Sequence, residues 1–241
     1  MKAMVLAAGV GSRLKPLTDR IPKALLDVGG APMIERVIRR LKAAGVTELV
    51  VNLFHLGDRI VEFLSSQGDF GLRIEFTREA ELLDTGGGLK NAAWFFDDGR
   101  PFFLHNVDVL SDIDLEKLLR FHHTVGALAT LAVQSRPGSR QLLFDRDGRL
   151  CGRESPEAVE WAKGPRNDIE RLAFTGIHVI DPAIFPRMTE TGAFPITRTY
   201  LRLVREGERI AAYRADGRYW QDIGSPEKLE AARKRAAGPH G

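Results

Sequence analysis

Cysteine is nearly absent from this sequence, because Cys151 is the single one in 241 residues. A lone thiol forms no disulfide within its own chain, and no apolar run approaches the ~20 residues that span a bilayer. The short apolar stretch after Met1 and Lys2 is also too brief for the core of a secretory signal. These absences argue against a disulfide-stabilised secreted domain and a membrane protein, and we expect a cytoplasmic location.

A large excess of charge of one sign is also missing. Lys and Arg number 35 and Asp and Glu number 32, so the formal net charge of +3 is too small to indicate a nucleic-acid partner. The charge is unevenly distributed, however, since residues 1–25 carry five basic side chains against Asp19 alone. This local surplus indicates an anionic ligand near the N-terminus.

Two kinds of apolar segment alternate along the first half of the chain. Short runs of strand length are followed by segments whose apolar residues have helical spacing. Such alternation is typical of βαβ units, and therefore of a mostly parallel sheet flanked by helices. The second half is richer in strand-like runs, which predicts a mixed sheet in one Rossmann-like α/β domain over residues 1–241. Strands are predicted at 3–8, 48–53, 72–76, 101–105, 127–133, 141–144, 149–152 and 172–180, helices at 32–44, 58–65, 89–95, 114–123 and 226–236, and a frayed end at 238–241.

The first predicted strand runs into a loop that contains glycine and basic residues, and residues 6–18 read LAAGVGSRLKPLT. Gly9 and Gly11 allow the backbone to approach a ligand closely, and successive N–H groups in such a loop can bind phosphate oxygens. Arg13 offers several donors to a phosphate, and Lys23 adds a compact charge. Because open α/β sheets bind ligands at the carboxyl ends of their strands, this loop is a candidate phosphate site.

Two familiar nucleotide-binding motifs are absent from this loop. Leu14 occupies the place of the third glycine in the dinucleotide fingerprint G-x-G-x-x-G, which disfavours a dehydrogenase. The Walker run G-x-x-x-x-G-K-[ST] does not occur in the sequence either. The alternatives are a phosphate site of another type and an ordinary βα turn with a solvated basic flank.

The loop resembles the N-terminal signature of the sugar-1-phosphate nucleotidyltransferases, which reads LAAGxGxRxxPLT followed by PK. The resemblance implies a GT-A-like fold, with a nucleotide-binding half at 1–125 and a sugar-binding half at 126–241. It also implies an NTP and a sugar 1-phosphate as substrates, and we expect a monomer or a homodimer. Further similar segments follow in the family's order at 82–89 (LLDTGGGL), 106–115 (NVDVLSDIDL), 174–181 (FTGIHVID) and 220–224 (WQDIG).

The same resemblance implies that two distant aspartates hold one Mg²⁺ ion. Asp108 follows the apolar run at 101–104, and Asp222 lies just before Gly224. Carboxylate oxygens are suitable ligands for this hard cation. The alternative for each is a turn-forming or helix-capping carboxylate.

Three neighbours of Asp108 carry separate expectations. Asp112 and Asp114 are expected to cap the helix that begins near Leu115. Val107 stands where the family usually has glycine, and valine disfavours a positive φ. The backbone there is therefore expected to be ordinary or mildly strained.

In the resembled family, the glycine loop at 86–88 reads the base, helped by a polar side chain a few residues earlier. This implies that the carboxylate of Glu79 accepts a hydrogen bond from a base N–H. The alternative is a flexible loop before a helix. The full nucleotide-binding set implied by the resemblance is Leu6, Ala8, Gly9, Gly11, Arg13, Lys23, Glu79, Thr85 and Gly86.

The sugar-binding residues implied by the resemblance are Glu154 and Gly176. The family often has Glu-Lys-Pro where this chain has Glu154, Ser155 and Pro156, so the lysine that would contact the sugar phosphate is missing. Lys163 and Arg153 are the candidates to replace it. Cys151 shows no sign of a nucleophile and is expected to be a packing residue.

Among the branches of the family, the short uridylyltransferases acting on N-acetylmuramate 1-phosphate resemble the chain most, and the short mannose-1-phosphate guanylyltransferases almost as much. The predicted reaction forms an NDP-sugar and pyrophosphate from an NTP and a sugar 1-phosphate, with UTP and an N-acetylmuramate-type sugar 1-phosphate as the expected substrates and Mg²⁺ as cofactor. Arg13, Lys23 and Asp108 take the catalytic roles. The alternatives are GTP:mannose-1-phosphate guanylyltransferase, CTP:phosphocholine cytidylyltransferase and a non-catalytic module that binds a nucleotide sugar.

Overall fold

A computed structural model describes residues 1–237, and the predicted frayed end at 238–241 lies outside the described residues. The strands are β1 (Lys2–Leu6), β2 (Asp27–Val28), β3 (Ala31–Pro32), β4 (Glu48–Leu53), β5 (Arg73–Arg78), β6 (Phe102–Asn106), β7 (Val109–Ser111), β8 (Ala129–Gln134), β9 (Gln141–Phe144), β10 (Leu150–Glu154), β11 (Val159–Trp161), β12 (Glu170–Ile180), β13 (Ile210–Arg214) and β14 (Trp220–Asp222). The α-helices are α1 (Leu17–Arg20), α2 (Met33–Ala43), α3 (Gly57–Ser66), α4 (Asp84–Asn91), α5 (Leu115–Val125), α6 (Ile196–Arg205) and α7 (Pro226–Ala236). Short 3₁₀ turns lie at Ser12–Leu14, Lys23–Leu25, Gly68–Gly71, Ala93–Phe95 and Pro182–Arg187.

The chain divides into two compact units, each built from separate stretches of sequence. The first contains Met1–Leu82, His105–Ile113 and residues 219–237. The second contains Leu83–Leu104 and Asp114–Arg218. Residues that are distant in sequence therefore become neighbours inside the first unit.

A parallel sheet organises the first unit. Strands β1, β4 and β5 pair in that order, with Leu6 opposite Asn52 and Leu53 opposite Arg78. Parallel strands need crossover connections, and α2 and α3 supply them. One face of α2 is buried, because its apolar residues recur at helical spacing. That face comprises Met33, Ile34, Val37, Ile38 and Leu41.

A second, smaller pairing brings the end of the chain back into the first unit. Strand β14 runs antiparallel to β7, with Asp222 opposite Val109. Helix α7 follows β14 directly, and its Leu229 and Ala232 join a buried apolar cluster. The other members of this cluster are Leu14, Leu26, Val28, Met33 and Ile223.

The second unit is richer in antiparallel pairs. Strand β12 pairs with β8 and β9, and β10 lies between β9 and β11. Strand β13 is parallel to β8. The register of β12 against β8 shifts between Phe174 and His178, where Gly176 takes a φ of 77°. Glycine tolerates the positive φ at this irregularity of the strand pairing.

The structure confirms the predicted fold class, which is α/β with a mixed, mostly parallel sheet flanked by helices. Strands β4 and β9 and helix α7 have the predicted bounds. Cys151 is buried, as expected for a packing residue. Among the described residues, no helix combines the length and the apolar composition that crossing a bilayer would require.

Other predictions differ from the structure. Helix α6 and strands β11, β13 and β14 had not been predicted, and α4 includes the three glycines that had been assigned to a loop. Asp114 caps α5 as expected, accepting from Lys117 N at 2.9 Å. The prediction that Asp112 caps the same helix is wrong, because its Oδ1 accepts from Tyr219 N at 2.7 Å and so joins the segment before β14 to the one after β7.

Candidate active site

The loop after β1 folds back on itself through Gly11. Gly11 has a φ of 68°, and a Cβ at this position would lie 2.8 Å from Thr18 Cγ2, so both the backbone and the packing require glycine. Its carbonyl accepts from Leu14 N at 2.8 Å and from Thr18 Oγ1 at 2.9 Å. Gly9 differs, because a Cβ there would have no atom within 4 Å. Packing within the protein therefore does not require glycine at position 9, which leaves room for a ligand against the backbone.

The basic residues near the N-terminus do not all contribute to one surface. Lys2 is buried within β1, and the exposed Lys15 pairs with Asp19 at 3.1 Å. Arg13 and Lys23 are the two that reach the predicted aspartates. Fewer basic residues therefore lie near the predicted aspartates than the charge count of this region suggested.

Lys23 forms an ion pair with Asp108, its Nζ donating to Asp108 Oδ2. Lys23 lies in the 3₁₀ turn after Pro22, and its side chain is only 11 % exposed. Val107 N donates to Leu6 O at 3.1 Å, which ties the segment before Asp108 to the end of β1. Val107 is absent from the residues with positive φ, so its backbone is ordinary.

Asp222 lies beside Asp108 through the pairing of β14 with β7. Ile223 N donates to Asp108 O at 3.0 Å. The carboxylate of Asp222 accepts from Gly224 N at 2.8 Å through Oδ1, and from Lys228 Nζ at 2.5 Å through Oδ2. Burial opposes ionisation of Asp222, but these two hydrogen bonds and the nearby charges of Lys228 and Lys23 hold its pKa below the ordinary value. Lys23 therefore interacts with both predicted metal ligands.

Arg13 approaches the same aspartate through Gly224. A Cβ at position 224 would lie 2.9 Å from Arg13 Nη2 and 2.7 Å from Asp222 Oδ1. The guanidinium and the carboxylate therefore both lie against Gly224, where a larger side chain would displace them. Arg13, Lys23, Asp108 and Asp222 lie in one cluster, and their catalytic and metal-binding roles remain predictions.

A buried apolar layer supports this cluster. Leu14 follows Arg13, and Ile223 follows Asp222, and both side chains belong to the cluster that contains Leu229 of α7. Arg13 and Asp222 are therefore each next in sequence to a residue that is fixed by packing. Since packed side chains rarely change rotamer, this layer restricts where the polar groups can lie.

Glu79 takes part in a polar chain across the ends of three parallel strands. Ala7 N donates to Asn52 Oδ1 at 2.7 Å, and Asn52 Nδ2 donates to Glu79 Oε1 at 2.7 Å. Glu79 and Asn52 are buried. One carboxylate oxygen of Glu79 is therefore used within the protein, and its predicted contact with a base remains a prediction. Leu6 and Ala8 flank the donor in this chain.

Thr85 and Gly86 lie in helix α4 of the second unit. A Cβ on Gly86 would lie 2.4 Å from Phe194 Cε2, so the glycine allows helix and ring to pack closely. Thr85 Oγ1 accepts from Ile196 N at 2.9 Å, at the start of α6. These contacts give both residues a structural role, and their predicted role in nucleotide binding remains a prediction.

The predicted sugar-binding residues also lie in the second unit. Glu154 Oε2 accepts from Arg171 Nε at 2.6 Å, which neutralises its carboxylate. Arg153 pairs with Glu160 at 2.8 Å. Both charged groups therefore already have partners within the second unit, and Gly176 lies at the register shift of β12.

Two residues of the site were missed by sequence reasoning. Asn52 is a polar residue in the apolar run ELVVNL, a signal that could have identified it. Lys228 lies in the predicted helix at 226–236. Its contact with Asp222 has no signature in the sequence.

The donor set is compatible with Mg²⁺ carried by substrate phosphates. Among residues 1–237, no group of three or more His, Cys, Asp or Glu side chains is arranged to hold a metal. Asp108 and Asp222 instead offer two carboxylates at one place. Mg²⁺ commonly uses one or two carboxylates and completes its octahedron with phosphate oxygens and waters.

Solved structures of other proteins share this fold. A Bacillus anthracis protein described as a glucose-1-phosphate thymidylyltransferase, solved with sucrose, superposes with a TM-score of 0.82 at 23 % identity and covers 98 % of this chain and 95 % of its own. UDP-glucose pyrophosphorylase from Acinetobacter baumanii superposes with a TM-score of 0.79 at 19 % identity. The match covers 98 % of this chain and 93 % of that protein. At these identities the likeness defines the Rossmann-like fold alone.

The sequence itself defines the family. Residues 2–237 match the model of the nucleotidyl transferase family, to which this chain therefore belongs. A protein of Arabidopsis thaliana described as mannose-1-phosphate guanylyltransferase 2 is 31 % identical over 260 residues, covering 100 % of this chain and 70 % of its own length. Mannose-1-phosphate guanyltransferase of Gibberella zeae is 31 % identical over 233 residues, and the match covers 94 % of this chain and 62 % of that protein.

Proposed function

We propose that this protein is a mannose-1-phosphate guanylyltransferase that forms GDP-mannose and pyrophosphate from GTP and mannose 1-phosphate. The observation that carries the nucleotidyl transfer is that Lys23 pairs with Asp108, whose carbonyl accepts a hydrogen bond from the residue after Asp222, in a cluster that also contains Arg13. The choice of base and sugar is supported by the relatives in Arabidopsis thaliana and Gibberella zeae. They favour this activity over uridylyl transfer to N-acetylmuramate 1-phosphate.

The proposed step is an in-line displacement at phosphorus. An oxygen of the sugar phosphate attacks the α-phosphorus of GTP, and the bond from that phosphorus to the oxygen bridging the α- and β-phosphates breaks. The electron pair leaves with pyrophosphate. The second pKa of a phosphate monoester is about 6, so the nucleophile is already dianionic at neutral pH and needs no general base. The protein's task is to align two anions and to stabilise charge.

The basic residues have separate roles in this proposal. Arg13 would bind the leaving pyrophosphate, since its planar guanidinium makes several hydrogen bonds to phosphate oxygens. Lys23 would stabilise the α-phosphate from a nearly buried position. Its ion pair with Asp108 fixes the ammonium before the nucleotide arrives, so little reorganisation is needed during the reaction.

Asp108 and Asp222 would hold Mg²⁺. When bound, the ion supplies Lewis-acid stabilisation of charge on the phosphoryl oxygens and orients the reacting groups. The two carboxylates belong to paired strands, and the hydrogen bond from Ile223 N to Asp108 O holds those strands together. The distance between the two aspartates is therefore set by the pairing of their strands and not only by a bound cation.

The proposal is tested by measuring pyrophosphate release over a panel of nucleotides and acceptors. GTP, UTP, CTP, dTTP and ATP are each combined with mannose 1-phosphate, glucose 1-phosphate, N-acetylmuramate 1-phosphate and phosphocholine. We expect release with GTP and mannose 1-phosphate in Mg²⁺, and its loss after chelation and recovery on adding Mg²⁺ back. Preference for UTP with N-acetylmuramate 1-phosphate, or for CTP with phosphocholine, would replace the proposed substrates. Tight binding of a nucleotide sugar without turnover on any pair would identify a non-catalytic module.

A further inference from the structure

Lys228 makes the closest charged contact to Asp222. It lies in the first turn of α7, and its Nζ donates to Asp222 Oδ2 at 2.5 Å. Two further hydrogen bonds fix this turn against β14: Gln221 Nε2 donates to Lys228 O at 2.8 Å, and Ser225 Oγ caps the helix by accepting from Lys228 N. The backbone of Lys228 is therefore held in place, while its side chain projects across the carboxylate.

Both oxygens of Asp222 are occupied by groups from its own C-terminal segment. Gly224 N donates to Oδ1, and Lys228 Nζ donates to Oδ2. A cation that approaches Oδ2 therefore meets a positive charge already in hydrogen-bonding position. Direct coordination through that oxygen requires the ammonium to leave.

The two lysines at the site differ in how readily they can leave. Lys23 is 11 % exposed, whereas the side chain of Lys228 is 48 % exposed. An exposed ammonium on a flexible stem regains hydration and rotamer freedom when it is released. Lys23, paired with Asp108, would gain less of either, since its side chain is mostly buried. Lys228, paired with Asp222, is therefore the lysine that a cation can displace more readily.

We propose that Lys228 is the displaceable counter-ion of Asp222, a positioning residue that competes with the divalent cation and sets the affinity of the site. The inference rests on the proposed function, because it takes Asp222 as a metal ligand. Before the cation binds, Lys228 neutralises and orients the carboxylate. On cation binding, Lys228 would move away from Oδ2.

The test is Mn²⁺ binding to the full chain, measured by electron paramagnetic resonance of the free ion at fixed pH. Lys228→Met removes the charge and keeps the length, so we expect the Kd for Mn²⁺ to fall by up to about fivefold, the largest change that an exposed ion pair supports. Lys228→Arg restores a competing cation and should leave the Kd at or above the wild-type value. The matched control is Lys234→Met, an exposed lysine of the same helix, and its Kd should equal that of the wild type.

Two results would overturn the proposal: a Lys228→Met variant with an unchanged or raised Kd, or equal gains from Lys228→Met and Lys234→Met. A merely structural role for Lys228 predicts weaker binding in the variant, which is the opposite sign. Asp222→Asn separates this inference from the proposed function. If Asp222→Asn loses Mn²⁺ while Lys228→Met is unchanged, only the counter-ion role fails. If Asp222→Asn binds Mn²⁺ like the wild type, the metal site itself is wrong.

Discussion

Lys23 and Asp108 form an ion pair although 85 residues separate them in the sequence. The lysine lies in a turn near the N-terminus, and the aspartate directly precedes β7. The positive charge of Lys23 also favours the ionised form of Asp222, so one ammonium group acts on both acidic residues. The role of the charge on Asp108 can therefore be tested by a substitution that leaves the fold unchanged.

Asp108→Asn should abolish pyrophosphate release and leave the fold intact. The substitution removes a charge but preserves the backbone carbonyl that accepts from Ile223 N. Loss of one such electrostatic group costs on the order of 10²–10³ in rate, or more where it holds a metal. Asp112→Asn is the matched control, since its amide oxygen can still accept from Tyr219 N. Turnover near the wild-type rate in Asp108→Asn would refute the assignment.

Gly9→Ala should weaken nucleotide binding without lowering stability. The new methyl group meets no atom within 4 Å of the protein, so the free energy of unfolding should change by less than about 0.5 kcal/mol. The methyl group would occupy space proposed for the nucleotide, and overpacking of that kind predicts about a tenfold higher KM for the NTP. Steady-state kinetics and chemical denaturation provide the two measurements, with Gly138→Ala as a control outside the loop. A wild-type KM would place the nucleotide elsewhere.

Gly86→Ala should destabilise the protein through a clash with Phe194. The added Cβ would lie 2.4 Å from the ring, and overpacking of this kind costs about 1–3 kcal/mol. Thermal and chemical unfolding measure the loss. Combining Gly86→Ala with Phe194→Leu should cost less than the sum of the single changes, because the smaller side chain makes room. Additive losses would mean that the ring is not what the methyl group meets.

His105 should make the protein sensitive to acid. Burial lowers the pKa of this imidazole from 6.5 to about 4, so the folded state holds it neutral. Its contribution to stability is complete above pH 6.5 and is lost as the pH falls toward 4, because the unfolded state binds the proton first. The lost free energy is about 3 kcal/mol, at ~1.4 kcal/mol per pKa unit. Urea denaturation at several pH values measures it.

His105→Leu should reduce the acid-induced loss by that amount, while the exposed His55→Gln should leave it unchanged. Equal acid sensitivity in His105→Leu and the wild type would show that other groups account for the effect.

Local patterns predicted the elements whose cause is local. The apolar run of β4 and the spacing of α7 each carry their own signal, and both have the predicted bounds. The glycines of α4 were assigned to a loop because glycine disfavours helices, but the close approach of Phe194 makes glycine necessary there. Helix α6 was missed although its sequence has a helical pattern, since Ile196, Tyr200 and Leu203 recur at helical spacing after Pro195. Strand β14 was missed because it has no such pattern: three residues form a strand only when a partner strand is present.

The site divides in the same way. Gly9, Gly11 and Arg13 were identified as candidates from one loop, and Lys23 from the Pro-Lys pair that follows it closely in sequence. The proximity of Asp222 depends on the pairing of β14 with β7, and no local pattern contains that pairing. It was expected only through resemblance to a family. The contact of Lys228 with Asp222 could not be expected at all, since it depends on the angle at which α7 leaves β14.

The apolar layer beneath the cluster joins the first loop of the protein to its last described helix. Leu14 and Leu26 pack in the same cluster as Ile223 and Leu229. A chimera that takes the N-terminal loop from a relative will therefore carry mismatched packing unless the C-terminal helix comes from the same parent. In recombination libraries, functional chimeras should therefore take the N-terminal loop and helix α7 from the same parent.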